Sequence, residues 1–398
     1  MTRHVLIAGG GIAGSAAALA LRRAGMAVTV YEARLDAGDY SGAALRLPRN
    51  GLDALRAIEA HQAVVAVSAP LPRTELLSGT GRLLGTVALS TGSEQEQPRA
   101  LTRAQLAGAL RAEAVRQGAR LELGRSLRTA ERTGSGVLAT FADSGTAEGE
   151  VLIGADGVHS TVRGLVDPAA PEPRFCGTHI RYGYTPRTVQ APPAPEAFRI
   201  FWGRNATFGY TSATGDYYWF AGIPAREPLP TTAAAELEGS RQWLLGLFRR
   251  DRTPATAIIR DAEVILATNP RAVPGLSSWH NGSMVVIGDA AHAVPPATEQ
   301  GAALAIEDAV VLAQSLRDAG DTGQALSAFE AARRERVERV AARGAGQTAR
   351  LRARTGWLAR RKRDRAMAEA VRGGALAPPA WLHDFHLDWE ERTSGTGD

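Results

Sequence analysis

The chain has 398 residues, of which 44% are apolar and 22% charged, and it contains one cysteine, Cys176. This composition is typical of a globular protein with room for two domains, and a single cysteine excludes internal disulfides and a cysteine-rich zinc site and favours a reducing cytoplasm. The net charge of +5 comes from residues 331–365, which hold 13 Lys/Arg and 3 Asp/Glu; we interpret this stretch as a solvated helix face, with binding to nucleic acid or a membrane as the less favoured alternative.

The N-terminal stretch HVLIAGGGIAGSAAALALRRAGMAVTVYEAR predicts a buried strand, a glycine-rich turn, a helix and a second strand. Gly9, Gly11 and Gly14 match the pattern GxGxxG. The first glycine permits the tight turn, the second lets the backbone approach a pyrophosphate, and the third lets the helix pack on the strand. Glu32, at the end of the second strand, can accept hydrogen bonds from an adenosine ribose. We therefore predict a dinucleotide site.

Two later strand ends carry an acidic residue. The stretch VLIGADGVHSTVR places Asp156 and Gly157 directly after a buried strand. The stretch VVIGDAAHAVPPATEQGAALAIEDA places Asp289 after another, followed by a loop containing Pro296 and a helix that opens near Gly301. A helix start leaves N–H groups unpaired and carries partial positive charge, so this junction is suited to a ligand.

Residues 174–273 have a different character, with proline-rich loops and aromatic strand-like segments. This pattern predicts an antiparallel sheet in which alternate residues face a binding site. The sequence does not fix the register. Tyr210 and Tyr218 are taken as the candidate substrate-binding residues, while most of the aromatic side chains are expected to pack in the core.

Together the three motifs, in this order and at this separation, resemble the flavoprotein monooxygenases of the p-hydroxybenzoate hydroxylase type, over about residues 3–338. The resemblance implies an α/β fold: a Rossmann-like FAD-binding domain of the glutathione reductase type, an inserted antiparallel β-sheet substrate domain and C-terminal helices. We expect the FAD-binding domain to comprise residues 1–173 and 274–345. The substrate domain would comprise residues 174–273, and residues 346–398 would form the helical region.

The resemblance also assigns roles to individual residues. It implies that Arg103 reaches the FAD phosphates, that Asp289 binds the ribityl chain, and that Arg34 and Leu127 lie near the adenosine. Arg46 would project near the flavin ring, where it could hold the ring or a polar substrate group, and it is the candidate catalytic residue. The predicted cofactor-binding residues are Gly9, Gly11, Ala13, Gly14, Glu32, Ala33, Arg34, Arg103, Leu127, Asp156, Gly157, Asp289, Pro296 and Gly301.

The activity that the resemblance implies is that of a single-component monooxygenase. NAD(P)H would reduce FAD, and O2 would then form a C4a-hydroperoxyflavin that hydroxylates or epoxidises an aromatic or polyketide-like small molecule. Only one complete dinucleotide fingerprint is present, so we expect no separate nicotinamide domain. The choice between NADH and NADPH stays open. We expect a monomer or homodimer in the cytoplasm, and no stretch of about 18 strongly apolar residues predicts a membrane span.

The sequence departs from the family pattern at one place. Where many relatives have Gly-Gln-Gly-x-Asn, this chain has Glu299, Gln300, Gly301, Ala302 and Ala303. Ala303 offers no side-chain amide to a flavin, and we expect Glu299 to face solvent. Two alternatives remain at this point: an NAD-dependent dehydrogenase, which has no use for Asp289, and a flavin-bound protein that binds or shields an intermediate without oxygenating it.

Overall fold

The structure is a computed structural model that describes residues 3–35, 43–89, 96–229, 237–351 and 356–392. The strands in chain order are β1 His4–Ala8, β2 Ala27–Glu32, β3 Ala44–Leu47, β4 Ala69–Pro70, β5 Arg73–Ser78, β6 Leu83–Ala88, β7 Arg99–Thr102, β8 Arg120–Leu123, β9 Leu127–Arg132, β10 Val137–Phe141, β11 Thr146–Gly149, β12 Val151–Gly154, β13 Arg174–Phe175, β14 Thr178–Thr185, β15 Ala197–Trp202, β16 Thr207–Thr211, β17 Tyr217–Pro224, β18 Val264–Thr268, β19 Arg271–Ala272 and β20 Met284–Val286.

The helices alternate with the strands only in part. They are α1 Ile12–Arg23, α2 Arg49–Ala57, α3 His61–Val65, α4 Arg103–Arg116, α5 Thr161–Val166, α6 Leu237–Phe248, α7 Ala255–Arg260, α8 Asp289–His292, α9 Gly301–Asp318, α10 Thr322–Leu351, α11 Trp357–Arg372 and α12 Ala380–His383, with a 3₁₀ turn at Pro296–Thr298. Within the described ranges, no helix has the length and hydropathy needed to cross a membrane.

A five-stranded parallel sheet forms the centre of the larger hydrophobic core, in the order β20-β12-β1-β2-β8. Its middle strands are mainly apolar because helices and a small sheet cover both faces, with α1 packed against α4 and α9. The register pairs Ala8 with Gly154, and Gly154 with Val286, across adjacent strands. The three predicted motifs therefore leave the sheet side by side at one edge, which confirms the expected fold class.

A mixed seven-stranded sheet forms the second layer, in the order β18-β14-β17-β16-β15-β5-β6. All neighbours are antiparallel except β5 and β15, which are parallel. Four of its strands lie within residues 178–224 and one at 264–268, but β5 and β6 come from residues 73–88. The sheet thus draws on a segment that the sequence analysis placed with the cofactor domain.

A network of buried charges holds the loop between α8 and α9. Asp308 on α9 accepts hydrogen bonds from the backbone N–H of Gly288 at 2.9 Å and from Arg333 at 2.9 Å, and it pairs with His292 at 2.5 Å. Burial alone would raise the pKa of Asp308, but the charges of His292 and Arg333 lower it to about 2. The carboxylate therefore stays ionised and fixes the backbone where β20 ends.

The adjacent Glu307 joins this network to the rest of the site. Its carboxylate is fully buried and accepts hydrogen bonds from Arg333 and Arg336 of α10 and from the Asn50 amide, each at 2.7 Å. The Asn50 amide also donates to Gln300 at 2.9 Å. Two arginines and one amide therefore satisfy this carboxylate and hold Gln300 directly before the start of α9.

The C-terminal segment returns to the same loop. Arg336 donates to the backbone carbonyls of Trp381 and Leu382, and His383 lies 3.5 Å from the Gln300 amide nitrogen. Burial, together with the positive charge of Arg46, lowers the pKa of the His383 imidazole to about 4. His383 is therefore uncharged at neutral pH.

Replacing Glu307 by Gln should destabilise the protein by about 3–5 kcal/mol, because Arg333 and Arg336 would lose the charge that compensates them in the interior. Urea unfolding measures this difference. The control is Glu338→Gln, which removes an exposed partner of Arg334 and should cost less than about 1 kcal/mol. Equal effects of the two substitutions would contradict the importance that we assign to the network.

The low pKa of His383 predicts that the protein loses stability in acid. Its folded pKa lies below the ordinary value near 6.5, so the unfolded chain binds more protons as the pH falls from 6.5 towards 4, and stability is lost in that window. Between pH 7.5 and pH 5.0, the free energy of unfolding of the parent protein should fall by about 1–2 kcal/mol more than that of His383→Gln. Thermal unfolding at pH 7.5 and 5.0 measures it.

His386→Gln provides the control for this experiment. Asp53 raises the pKa of His386, so the contribution of His386 to stability disappears as the pH rises and not as it falls. His386→Gln should therefore keep the acid sensitivity of the parent protein. A His383→Gln variant that loses as much stability at pH 5 as the parent would contradict burial of an uncharged imidazole.

Candidate active site

The first strand–helix turn is closely packed at two glycines and open at a third. A Cβ on Gly9, whose φ is +105°, would lie 2.5 Å from the carbonyl oxygen of Ala155. A Cβ on Gly14 would lie 1.9 Å from the carbonyl oxygen of Gly9. A Cβ on Gly11 would meet nothing within 4 Å, and no side chain caps the α1 N-terminus that follows. The turn therefore combines tight backbone contacts with free space at helix N–H groups, which is the arrangement that binds phosphate.

The Glu32 carboxylate is fixed at the end of β2. It accepts hydrogen bonds from the backbone N–H of Gly10 at 2.8 Å and of Arg34 at 3.1 Å. Arg111 on α4 donates to the Gly10 carbonyl at 3.2 Å. Burial lowers the pKa of its guanidinium, and the negative charge of Glu32 partly opposes that shift. The sequence analysis missed Arg111, because no local motif marks it and only the packing of α4 against α1 brings it to the turn.

The residues after β2 and before β9 lie side by side. The backbone N–H of Gly124 donates to the Arg34 carbonyl, and that of Arg125 to the Glu32 carbonyl, both at 2.9 Å. Ala33 and Arg34 are exposed, and Leu127 is partly buried against the main core at the start of β9. The structure thus gathers these predicted residues at one end of the site.

Asp156 lies at the second strand end, next to the glycine turn. Its Oδ2 atom accepts hydrogen bonds from the N–H groups of Thr161 at 2.7 Å and Val162 at 3.2 Å. Its Oδ1 atom is buried and has no hydrogen-bond partner in the described part of the chain. A Cβ on Gly9 would lie 3.1 Å from the Asp156 Cα, and Gly157 has a φ of +77°.

The third strand end closes against the other two. An Arg103 guanidinium nitrogen at the start of α4 lies 3.6 Å from an Asp289 carboxylate oxygen. A Cβ on Gly301 would lie 3.8 Å from the other oxygen of that carboxylate. A Cβ on Gly288 would lie 3.0 Å from the Ala13 side chain, so β20 ends in contact with α1. The predicted residues of all three motifs therefore form one connected surface.

Arg46 and Glu299 meet at the far end of this surface. Arg46, on β3, forms an ion pair with Glu299 and donates to the Thr74 hydroxyl of β5 at 2.7 Å. Pro296 begins the 3₁₀ turn that leads to Glu299, whose φ is +55°. The expectation that Glu299 simply faces solvent needs correction, because its half-exposed carboxylate pairs with Arg46.

The register of the seven-stranded sheet decides which aromatic side chains face this surface. The hydrogen bond from Arg46 to Thr74 identifies the face turned towards the cofactor loop. Tyr182 lies on the same face, where burial raises its pKa and the positive charge of Arg103 partly opposes that shift. That face carries Trp202 at one end, beside Arg363 of α11, and five further half-buried aromatic side chains. These five, which we call the aromatic face, are Tyr182, Tyr184, Phe198, Tyr218 and Phe220.

Gly209 leaves space on the aromatic face for the stacked rings of Phe198 and Phe220, whose centroids lie 5.8 Å apart. Tyr218 packs edge-on against Tyr184 at 4.9 Å. The structure does not bring Tyr210 to this face. Tyr210 of β16 is the cross-strand neighbour of Trp219 of β17, and both side chains lie on the opposite face. Tyr210 is fully buried there, and its hydroxyl donates to the Pro192 carbonyl.

The described residues fit a long cofactor with a dinucleotide end and a polyol chain. The open space at Gly11 would accept a pyrophosphate, and Glu32 and Asp289 present carboxylates elsewhere on the same surface. The unpartnered Oδ1 atom of Asp156 is a buried acceptor that a ligand donor can satisfy. These features fit FAD, whose ribityl chain would give Asp289 a partner.

Comparison with known proteins agrees with this geometry. The model of the FAD binding domain family matches residues 2–344. The aurachin C monooxygenase/isomerase of Stigmatella aurantiaca is 30% identical over 338 residues, covering 84% of this chain and 85% of the relative. The 3-amino-4-hydroxybenzoate 2-monooxygenase PtnB3 of Streptomyces platensis is 29% identical over 413 residues and covers 96% of each chain.

Solved structures share the fold at lower identity. Klebsiella pneumoniae HpxO, solved with FAD and uric acid, superposes with a TM-score of 0.77 at 24% identity and covers 94% of this chain and 98% of its own. CtdE, solved with FAD and a substrate, superposes with a TM-score of 0.83 at 20% identity and covers 97% and 96%. The chain therefore belongs to the FAD binding domain family and, within it, to the FAD-dependent monooxygenases.

Proposed function

We propose that this protein is a single-component monooxygenase that uses FAD, NAD(P)H and O2 to hydroxylate or epoxidise an aromatic or polyketide-like small molecule. One oxygen atom of O2 enters the product. The other is reduced to water by the two electrons of NAD(P)H and two protons. The observation that carries the proposal is the convergence of Glu32, Asp156 and Asp289 on one surface that ends beneath an aromatic face. The names of relatives that act on aromatic compounds support it.

The residues of this chain would bind and orient the cofactor. Glu32 would accept hydrogen bonds from the adenosine ribose, the N–H groups after Gly11 would hold the pyrophosphate, and Asp289 would accept hydrogen bonds from the ribityl hydroxyls. Arg103, whose guanidinium lies 3.6 Å from the Asp289 carboxylate, would reach the phosphates. Bound FAD supplies the electron transfer and oxygen activation that no side chain provides.

The start of α9 and the aromatic face would complete the reaction space. Helix N–H groups at Gly301 carry partial positive charge and would stabilise negative charge on the pyrimidine end of the flavin. The aromatic face would exclude water and bind a planar substrate, with Tyr218 among its residues. Arg46, at the edge of this space, would contact the ring or a polar substrate group.

The proposal also covers the domain boundaries, the cellular compartment and the oligomeric state. We assign residues 1–173 and 274–345 to the FAD-binding domain, residues 174–273 to the substrate domain and residues 346–398 to the C-terminal region, with β5 and β6 joining the sheet of the substrate domain. The single, half-buried Cys176 supports a reducing cytoplasm. We propose a monomer or homodimer that takes up NAD(P)H transiently near Asp156, because no second dinucleotide fingerprint occurs in the sequence.

Asp289→Ala should lower FAD occupancy at least tenfold, because the ribityl hydroxyls would lose their acceptor and Arg103 its counter-charge. The ratio of flavin to protein absorbance after purification and FAD addition measures this loss. The control is Asp261→Ala, which changes an exposed carboxylate after α7. Full occupancy in Asp289→Ala, with an unfolding temperature like that of the control, would refute the assignment.

The activity itself is tested with the yellow holoenzyme. NAD(P)H oxidation in air should be stimulated by an aromatic substrate, and one atom of ¹⁸O from ¹⁸O2 should appear in the product. A colourless protein that cannot be reconstituted with FAD would overturn the proposal. A yellow protein that consumes no NAD(P)H with a broad set of aromatic compounds would favour a flavin-bound binding protein, the alternative that Ala303 and Glu299 suggest.

A further inference from the structure

Glu299 occupies a backbone conformation that side chains rarely adopt. Its φ of 55° and ψ of 24° place it in the left-handed region, in the loop directly before the buried Gln300. A residue other than glycine in this region costs about 1–2 kcal/mol. Strained residues of this kind persist where the surrounding structure fixes them, often at functional sites.

The ion pair with Arg46 is the contact that accompanies this strain. The Arg46 side chain is mostly buried, at 16% exposure, and its other guanidinium nitrogen donates to Thr74 of β5. Arg46 therefore bridges the cofactor loop and the seven-stranded sheet. Thr74 lies beside Phe198 in the parallel pairing of β5 with β15, so the pair stands at the edge of the aromatic face.

The net charge at this edge is close to zero. The positive charge of Arg46 is compensated by Glu299, and the nearby His383 is uncharged because burial and Arg46 itself lower its pKa to about 4. Arg103 is paired with Asp289, and Arg336 with Glu307. Arg46, Arg103 and Arg336 therefore each have a carboxylate partner in the described part of the chain, whereas Arg343, whose positive charge also lowers the pKa of His383, is exposed to solvent.

A substrate carboxylate at this edge would meet Glu299 as a like charge and would have to replace it at Arg46. Repulsion of this kind discriminates against a competing ligand, in addition to the attractive contacts that favour the preferred one. A neutral group with both a donor and an acceptor, such as a carboxamide, can instead donate to Glu299 and accept from Arg46. The two charges then stay paired and the substrate satisfies both.

We propose that the Arg46–Glu299 pair determines substrate specificity, selecting planar aromatic compounds that carry a neutral donor–acceptor group and rejecting aromatic carboxylates. This inference rests on the proposed function and specifies its substrate class. It assigns Glu299 the role of a charge that prevents Arg46 from binding anions.

The test uses two probes with the same ring, 4-hydroxybenzamide and 4-hydroxybenzoate. Each is titrated into the oxidised FAD-loaded protein without NAD(P)H, and the change in the flavin absorbance spectrum gives a Kd. The parent protein should bind the amide at least tenfold more tightly than the carboxylate. Glu299→Gln should reverse this preference, because Arg46 would then be free to bind the anion.

Three further variants separate the contributions. Arg46→Gln/Glu299→Gln should bind both probes with similar affinity, since neither charge remains. Glu299→Gly removes the charge together with the backbone strain, and it should show the same reversal as Glu299→Gln. Glu196→Gln alters an exposed carboxylate that pairs with Arg73 beside the same sheet, and it should behave as the parent protein.

An unchanged preference in both Glu299 variants would overturn the inference, as would failure of both probes to perturb the flavin spectrum of any variant. The outcome is distinguishable from failure of the proposed function. A protein that never binds FAD refutes the monooxygenase, whereas a yellow protein whose preference does not respond to Glu299 refutes only the specificity assignment.

Discussion

The contact between the first and second strand ends is the constraint on which the rest of the site depends. Gly9 approaches the Ala155 backbone so closely that no Cβ could fit, and Gly14 lies against Gly9 in the same way. These contacts bring β1 and β12 together with their carboxyl ends level, and β20 joins them in register. Because parallel strands all end at the same edge, three segments separated by more than 100 residues each contribute to one cofactor surface.

Buried electrostatics then fix the loop that passes from β20 to α9. Asp308 and Glu307 are adjacent on α9, yet they hold different parts of the protein: one binds the backbone at Gly288, and the other binds two arginines of α10 and the Asn50 amide. Such pairs are costly to bury unless every partner is satisfied. Arg336 also binds the backbone of the C-terminal segment, so α9, α10 and α12 together hold the loop before α9 in place.

The cofactor surface and the aromatic face come from different sheets, and few side chains connect them. Arg46 is one such side chain, with Thr74 on one side and Glu299 on the other. A fold shared by many enzymes says little about the substrate, which depends on the residues placed at such junctions. In this chain the junction carries the Arg46–Glu299 ion pair.

The sequence by itself determined the fold class, the cofactor and the three strand ends, because glycine turns, buried strands and helix starts are local patterns with local physical causes. The family resemblance also pointed to Arg46 and Asp289, whose roles at the cofactor stay predictions. It did not place Tyr210 correctly relative to Tyr218, because adjacent residues in a strand point to opposite faces and only the register shows which face is which.

Only the tertiary structure showed that β5 and β6 complete the seven-stranded sheet, that Arg111 reaches Gly10, and that His383 returns to the cofactor loop from the far end of the chain. It also showed that Glu299 pairs with Arg46. Contacts of this kind join residues that are distant in sequence, and they arise from packing between elements whose relative positions no local pattern specifies.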